Sequence, residues 1–189
     1  MFCVVLTGPA GAGKTTALTA LSDALIDDEI PHAAVDVDEI AWAFPFPSLA
    51  QRGEHLRAWC TAHLQAGHDL LLVSEVIESP DHLGEILASL RAGDHLLVRL
   101  EAAVATLRQR IIAREPPGWS QLDWLLEDAE RTHVTLAGLE GVHLALDTER
   151  LTTAEITTRI RAARPDKLGR PNEIAAAATR DRPADARPP

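Results

Sequence analysis

Residues 6–16 read Leu-Thr-Gly-Pro-Ala-Gly-Ala-Gly-Lys-Thr-Thr, directly behind the apolar run Phe-Cys-Val-Val. These residue types suit the binding of a polyanion. Gly8, Gly11 and Gly13 let the backbone take conformations closed to other residues and approach an anion closely. The N–H groups of the loop, that of Ala12 included, then converge on phosphate oxygens, together with the N-terminus of the helix that follows. Lys14 adds a compact ammonium on a flexible stem, suited to bridging β- and γ-phosphates. The Thr15 hydroxyl suits Mg²⁺, which takes oxygen ligands, and Thr16 offers a further phosphate contact. The spacing fits G-x-x-x-x-G-K-[ST], and it stands where that pattern must stand, after a strand-like run and at the head of a helical one. Lys14 and Lys167 are the only lysines in the chain, which otherwise uses arginine.

A second set of residues suits an acceptor for the transferred group. Val35-Asp36-Val37-Asp38-Glu39 closes the next β-type run, and strand alternation predicts Asp36 and Asp38 on one face. One carboxylate can hold Mg²⁺ through water, and the other can take the proton of a hydroxyl that attacks the γ-phosphorus. Asp38 lies further out and is the preferred base, with Asp36 the metal-side group; the reverse assignment stays open. A polar strand end with an aspartate capping the next helix is the plainer alternative. Four apolar residues followed by Ser74-Glu75 put Glu75 on the metal or substrate side, with Glu78 a weaker candidate. Trp42, Phe44 and Phe46 stand in a Pro-containing loop and offer an apolar wall to an acceptor pocket. Arg108, Arg110 and Arg114 end a helical pattern ahead of Pro116-Pro117-Gly118. Arginines there can close over a triphosphate, Arg108 on the nucleotide and Arg110 and Arg114 on the charge in transfer. Arg110 and Arg114 are four apart and share a helix face. A solvated basic helix end explains the same residues without chemistry. Asp147-Thr148 follows the last β-type run, where backbone could approach a nucleotide base.

These groups need a frame. Apolar β-type runs at residues 2–7, 33–37, 70–73, 96–100 and 142–146 alternate with helical patterns at 14–26, 49–66, 83–91, 104–114, 122–136 and 154–163. Thr152 or Thr153 can cap the last helix, with Glu155 in its first turn. Such alternation predicts an α/β fold with a parallel sheet between helices. Near-continuous apolar strands agree with burial on both faces. Right-handed crossovers then put the strand C-termini, and any ligand, along one edge.

The bulk numbers narrow the function classes. A chain of 189 residues is long enough for one domain with a real core. Net charge is −10, which argues against nucleic acid as the main ligand. No apolar run spans a membrane and no signal peptide is visible, so a cytoplasmic location is expected. Cys3 and Cys60 read as two reduced cysteines, and the eight histidines show no metal-ligand cluster. Residues 1–163 are expected to form the folded body. Residues 164–189 hold five of the twelve prolines and read as a disordered tail, with a short helix around residues 173–179.

With these pieces placed, the chain resembles the P-loop small-molecule kinases, a group that includes adenylate-kinase-like, shikimate-kinase-like and chloramphenicol-phosphotransferase-like enzymes. The resemblance covers about residues 1–163 and rests on GPAGAGKTT, VDVDE, LRQRIIARE and LALDTERLTTAEITTRI. It implies a three-layer P-loop NTPase fold, with a five-stranded parallel sheet in the order 2-3-1-4-5. It also implies ATP and Mg²⁺ as cofactors, Asp38 at the accepting hydroxyl, and a lid role for Arg110 or Arg114. SEVIES stands where shikimate-type enzymes carry a glycine-rich turn, and the lid has no adenylate-kinase-type insertion. The expected activity is transfer of the ATP γ-phosphoryl to a small-molecule hydroxyl or phosphate, by a monomer or homodimer. The alternative is an ATP-binding regulatory NTPase that hydrolyses ATP and acts through a protein partner; a toxin-like kinase of nucleotide sugars is a third form.

Overall fold

A computed structural model describes residues 1–169. The sheet holds β1 (Phe2–Thr7), β2 (Ala33–Asp36), β3 (Leu70–Ser74), β4 (Asp94–Glu101) and β5 (Leu144–Asp147). All pairings are parallel and the order is β2-β3-β1-β4-β5, the order the resemblance implies. Every residue of the central strand β1 is buried, as a strand covered on both faces requires.

Alternation along β1 divides the core. Phe2, Val4 and Leu6 pack with Leu18, Leu21 and Leu25 of α1 (Lys14–Asp27) and with Ile156 and Ile160 of α7 (Thr153–Ala163). Cys3 and Val5 face the other way. They pack with Leu56 and Cys60 of α3 (Leu49–Gln65), Leu83 and Ile86 of α4 (Pro80–Ser89), and Leu136 of α6 (Leu122–Ala137). Period-2 apolar pairs on the strands thus meet period-3.6 stripes on helices of both layers. Ile111 of α5 (Val104–Arg114) joins Leu126 and Ala129 of α6 in a smaller cluster, against which Ala10 of the glycine-rich loop packs.

Some boundaries differ from expectation. The helix expected at residue 83 begins at Pro80, because the Ser79 hydroxyl accepts the His82 amide at 3.1 Å and proline suits the first turn. Both α3 and α7 open with capping boxes, Ser48 with Gln51 and Thr152 with Glu155.

The second strand stops one residue early. Asp36 Oδ1 accepts the Asp38 amide at 3.2 Å and caps α2 (Val37–Ile40), so the chain leaves the sheet there. Asp36 and Asp38 therefore do not share a strand face, as alternation predicted. Val37 is fully buried between them.

Residues 164–169, assigned to the tail by composition, pack on the body. Pro165–Leu168 forms α8, and Leu168 is fully buried in the α1–α7 layer. Arg161 donates to the Leu168 carbonyl at 2.7 Å, and Arg164 pairs with Asp94 at 2.7 Å. The short helix expected around residues 173–179 lies outside the described residues.

Candidate active site

The loop between β1 and α1 lies at the C-terminal edge of the sheet and opens into a cleft of about 560 Å³. Two of its glycines are there because nothing larger fits. A Cβ on Gly8 would meet the Leu100 carbonyl oxygen at 2.6 Å, and one on Gly11, at φ +79°, would meet the Leu107 carbonyl oxygen at 2.9 Å. The loop is pressed against the end of β4 and the backbone of α5. Gly11→Ala is expected to cost about 1–3 kcal/mol of stability through backbone strain. The urea midpoint reads this effect, and an unchanged midpoint would show that the loop can shift away from α5.

Lys14 folds back over its own loop. Its Nζ donates to the Gly8 carbonyl at 2.9 Å and to the Pro9 carbonyl at 3.4 Å. Burial lowers the Lys14 pKa, opposed by the nearby carboxylates of Asp36, Asp38 and Glu75. The ammonium is thus held at the cleft with weak hydrogen-bond partners that an incoming anion can replace. Thr15 and Thr16 are exposed in the same cleft. The Thr15 hydroxyl donates to Asp36 Oδ2 at 2.8 Å, and the Ser74 hydroxyl donates to the same oxygen at 3.3 Å.

Asp38 also lines the cleft, with its side chain 69% exposed. Its partner is Arg52, in the first turn of α3, whose Nη2 lies 2.7 Å from Asp38 Oδ1 and 2.9 Å from Glu75 Oε2. Glu75 is buried and also accepts the Val76 amide at 2.8 Å. Burial raises the Glu75 pKa, against the opposing pull of Arg52 and that amide. Glu75 does not line the cleft: it holds Arg52, where a metal-side or substrate-side role was expected. Glu78 pairs with Arg131 of α6 at 2.7 Å.

Arg52 is the residue that sequence reasoning passed over. A signal was present, since it is the only Lys or Arg between Lys14 and Arg57. Arg52→Ala would leave Glu75 buried without its counter-charge, at roughly 2–3 kcal/mol at neutral pH. The Glu75 pKa in the folded variant then rises further above its unfolded value. Stability held by the neutral form is complete below the unfolded pKa and is lost as pH rises through the folded one. The deficit should therefore shrink as pH falls toward about 4. Urea midpoints across pH test this, and a pH-independent deficit would contradict it.

The three expected lid arginines separate. Arg110 and Arg114 line the cleft. Arg110 is anchored, donating to Thr148 Oγ1 at 2.8 Å, to the Thr148 carbonyl at 3.0 Å and to the Gly11 carbonyl at 3.2 Å. Arg114 is exposed and pairs with Glu115 at 2.6 Å. Arg108 is not brought to the cleft; it pairs with Glu130 of α6. Residues i and i+2 of a helix point about 200° apart around its axis, so Arg108 and Arg110 face nearly opposite sides. Thr148 lines the cleft with Leu125, Leu151 and Ile156, which give that end an apolar lining. Trp42, Phe44 and Phe46 are 83–89% exposed and do not line it, so they form no acceptor wall in this structure.

Among the described residues no cluster of three or more His, Cys, Asp or Glu could hold a metal ion. The hydroxyl of Thr15 beside the carboxylate of Asp36 instead fits Mg²⁺, which keeps most of its waters and takes few protein ligands. No helix among the described residues is long and apolar enough to cross a membrane.

No protein-family model matches the chain, and no curated protein matches it significantly. Solved structures do. A sugar kinase from Janibacter sp. HTCC2649 aligns over 89% of this chain and 96% of its own, at 17% identity and a TM-score of 0.62. A gluconokinase from Sinorhizobium meliloti 1021 aligns over 94% and 97%, at 20% identity and a TM-score of 0.61. An APS kinase from Mycobacterium tuberculosis, in complex with AMPPNP and APS, aligns over 85% and 95%, at 21% identity and a TM-score of 0.57. The likeness shows the fold alone, which this chain shares with these kinases.

Proposed function

We propose that this chain is an ATP- and Mg²⁺-dependent phosphotransferase that moves the γ-phosphoryl of ATP to a small-molecule hydroxyl or phosphate acceptor. The observation that carries the reading is that Lys14, the glycine-rich loop and Asp38 line one cleft. Kinase neighbours with the same fold, one of them solved with AMPPNP, agree with it.

Each residue has a task in that reading. The loop amides and Lys14 take the β- and γ-phosphates, and the Lys14 ammonium exchanges the Gly8 carbonyl for phosphate oxygen. Thr15 and Asp36 would hold Mg²⁺, which when bound neutralises charge on the β- and γ-oxygens. The acceptor oxygen attacks the γ-phosphorus in line, an O–P bond forms, and the bond to the β,γ-bridging oxygen breaks. The proton of a hydroxyl acceptor passes to Asp38, and ADP leaves. Arg110 fixes the cleft wall beside Gly11, and exposed Arg114 would exchange Glu115 for the transferring phosphoryl. The apolar end by Leu125, Leu151 and Ile156 suits the nucleotide base.

The experiment is ADP formation by the full chain with Mg·ATP, screened against a panel of hydroxyl and phosphorylated metabolites. Strong stimulation by one acceptor, with a phosphorylated product seen by mass spectrometry, is expected. ATP turnover that ignores every small molecule but needs a protein partner would overturn the kinase reading in favour of a regulatory NTPase.

A further inference from the structure

Helix α5 begins without a cap of its own. Ala103 stands at its N-cap position and has no side-chain oxygen to accept an amide. Glu149, in the segment between β5 and α7, serves that helix end from a distance. Its Oε2 accepts the Ala103 amide at 2.7 Å and its Oε1 accepts the Thr106 hydroxyl at 2.5 Å, across 46 and 43 residues of chain. The Thr106 and Ala103 bonds both favour the charged form and hold the Glu149 carboxyl below the usual carboxylate range. A carboxylate at this end also suits the positive pole of the helix dipole.

The next tie along α5 goes to Thr148. Arg110 donates to its hydroxyl and its carbonyl, and to the Gly11 carbonyl as well. Ala103, Thr106 and Arg110 follow one another at spacings of three and four, so they share one face of α5. That face is thus tied at two levels to residues 148–149. Thr148 and Leu151, on either side of Glu149 in the chain, line the cleft at its apolar end, while exposed Glu149 does not line it. Thr148 is held further by its amide, which donates to the Glu101 carbonyl at 2.8 Å. Beyond Thr148 the side-chain ties differ in reach. Arg150 pairs inside the segment, with Asp147 at 3.1 Å, whereas Glu149 binds the segment to α5.

We infer that Glu149 is a positioning residue for the nucleotide: by tying the β5–α7 segment to the start of α5, it sets Thr148 and Leu151 as a wall for the base and ribose of ATP. The inference rests on the nucleotide half of the phosphotransferase reading and gives that half a residue outside the cleft. A wall already in place leaves less order for the nucleotide to impose, so losing the tie weakens affinity. The phosphates depend on it less. Leu107 and Ile111 of α5 are fully buried and Arg110 still holds Gly11, so the glycine-rich loop keeps its support.

The test uses the full chain and two ligands titrated in a calorimeter with Mg²⁺: AMPPNP, and inorganic tripolyphosphate, which has neither base nor ribose. Glu149→Ala should weaken AMPPNP binding by about three- to tenfold and leave tripolyphosphate within about twofold of wild type. Thr106→Val keeps the side-chain shape without the hydroxyl, and should shift AMPPNP in the same direction by less. The double variant should be no weaker than Glu149→Ala, since both changes remove one contact. In turnover, KM for ATP should rise by the same factor with kcat nearly unchanged. Glu149 is exposed and Thr106 is half-buried, so both variants should fold, which the urea midpoint checks. Unchanged AMPPNP affinity in Glu149→Ala would reduce the residue to a structural cap and overturn the inference. An equal loss for both ligands would also overturn it, because the effect would then lie at the phosphates. Failure of the wild type to bind Mg·AMPPNP would instead overturn the phosphotransferase reading, and this inference with it.

Discussion

Replacing Lys14 with alanine is expected to reduce ATP turnover by about 10²–10³-fold, the usual effect of removing one group that stabilises charge at a transferring centre. The argument begins with position. The ammonium lies 2.9 Å from the Gly8 carbonyl, inside the loop that would hold the phosphates, and Lys167 is the only other lysine. Its electrostatic state adds to this. Burial lowers the Lys14 pKa, and nearby Asp36, Asp38 and Glu75 pull it back up. A half-buried ammonium held by two neutral carbonyls is costly for the empty protein and favourable once phosphate arrives. Alanine removes that cost, so the fold of the variant should hold, and lost turnover can be read as lost chemistry. Lys14→Arg should not rescue it, because a planar fork cannot take the place of a compact ammonium tucked against its own loop. Steady-state turnover, with Mg·ATP affinity by calorimetry, checks both variants. Full activity in Lys14→Ala would refute the phosphate-site reading.

Asp38→Asn should lower phosphoryl transfer by roughly 10²–10⁴-fold while leaving Mg·ATP affinity within a few-fold of wild type. Asparagine keeps the size of the side chain and cannot take a proton. The structural side effect is small. Asp38 is exposed, so its ion pair with Arg52 contributes at most about 1 kcal/mol. Arg52 retains Glu75 in the variant. Asp36→Asn is the matched control. Asp36 Oδ2 accepts from both Thr15 and Ser74, so its loss should raise the Mg²⁺ requirement rather than remove proton transfer. If Asp38→Asn destroys Mg·ATP binding and Asp36→Asn does not, the two roles are exchanged.

The glycine-rich loop was legible in the sequence because its demands are local. Close approach of backbone to backbone requires glycine, and Gly8 and Gly11 are each placed where a Cβ would strike a carbonyl. The sheet was legible for a related reason. A strand buried on both faces must be apolar throughout, and Phe2–Thr7 and Leu70–Ser74 are buried along their whole length. The parallel sheet between helix layers followed from alternation, the strand order from the resemblance, and the pairings agree.

What the tertiary structure decided is which charges meet. Alternation put Asp36 and Asp38 on one face, but one side-chain hydrogen bond to the Asp38 amide turned the chain out of the strand. Helix periodicity already separated Arg108 from Arg110, and reading the three arginines as a block missed it. No period predicts that Arg52 of α3 reaches both Asp38 and Glu75, which are remote from it along the chain. Composition likewise drew the end of the body at residue 163, whereas Leu168 is buried in the core. Backbone geometry and burial leave their mark in residue spacing. Charge pairing depends on which distant side chains share a few ångströms of space, as Arg52, Asp38 and Glu75 do.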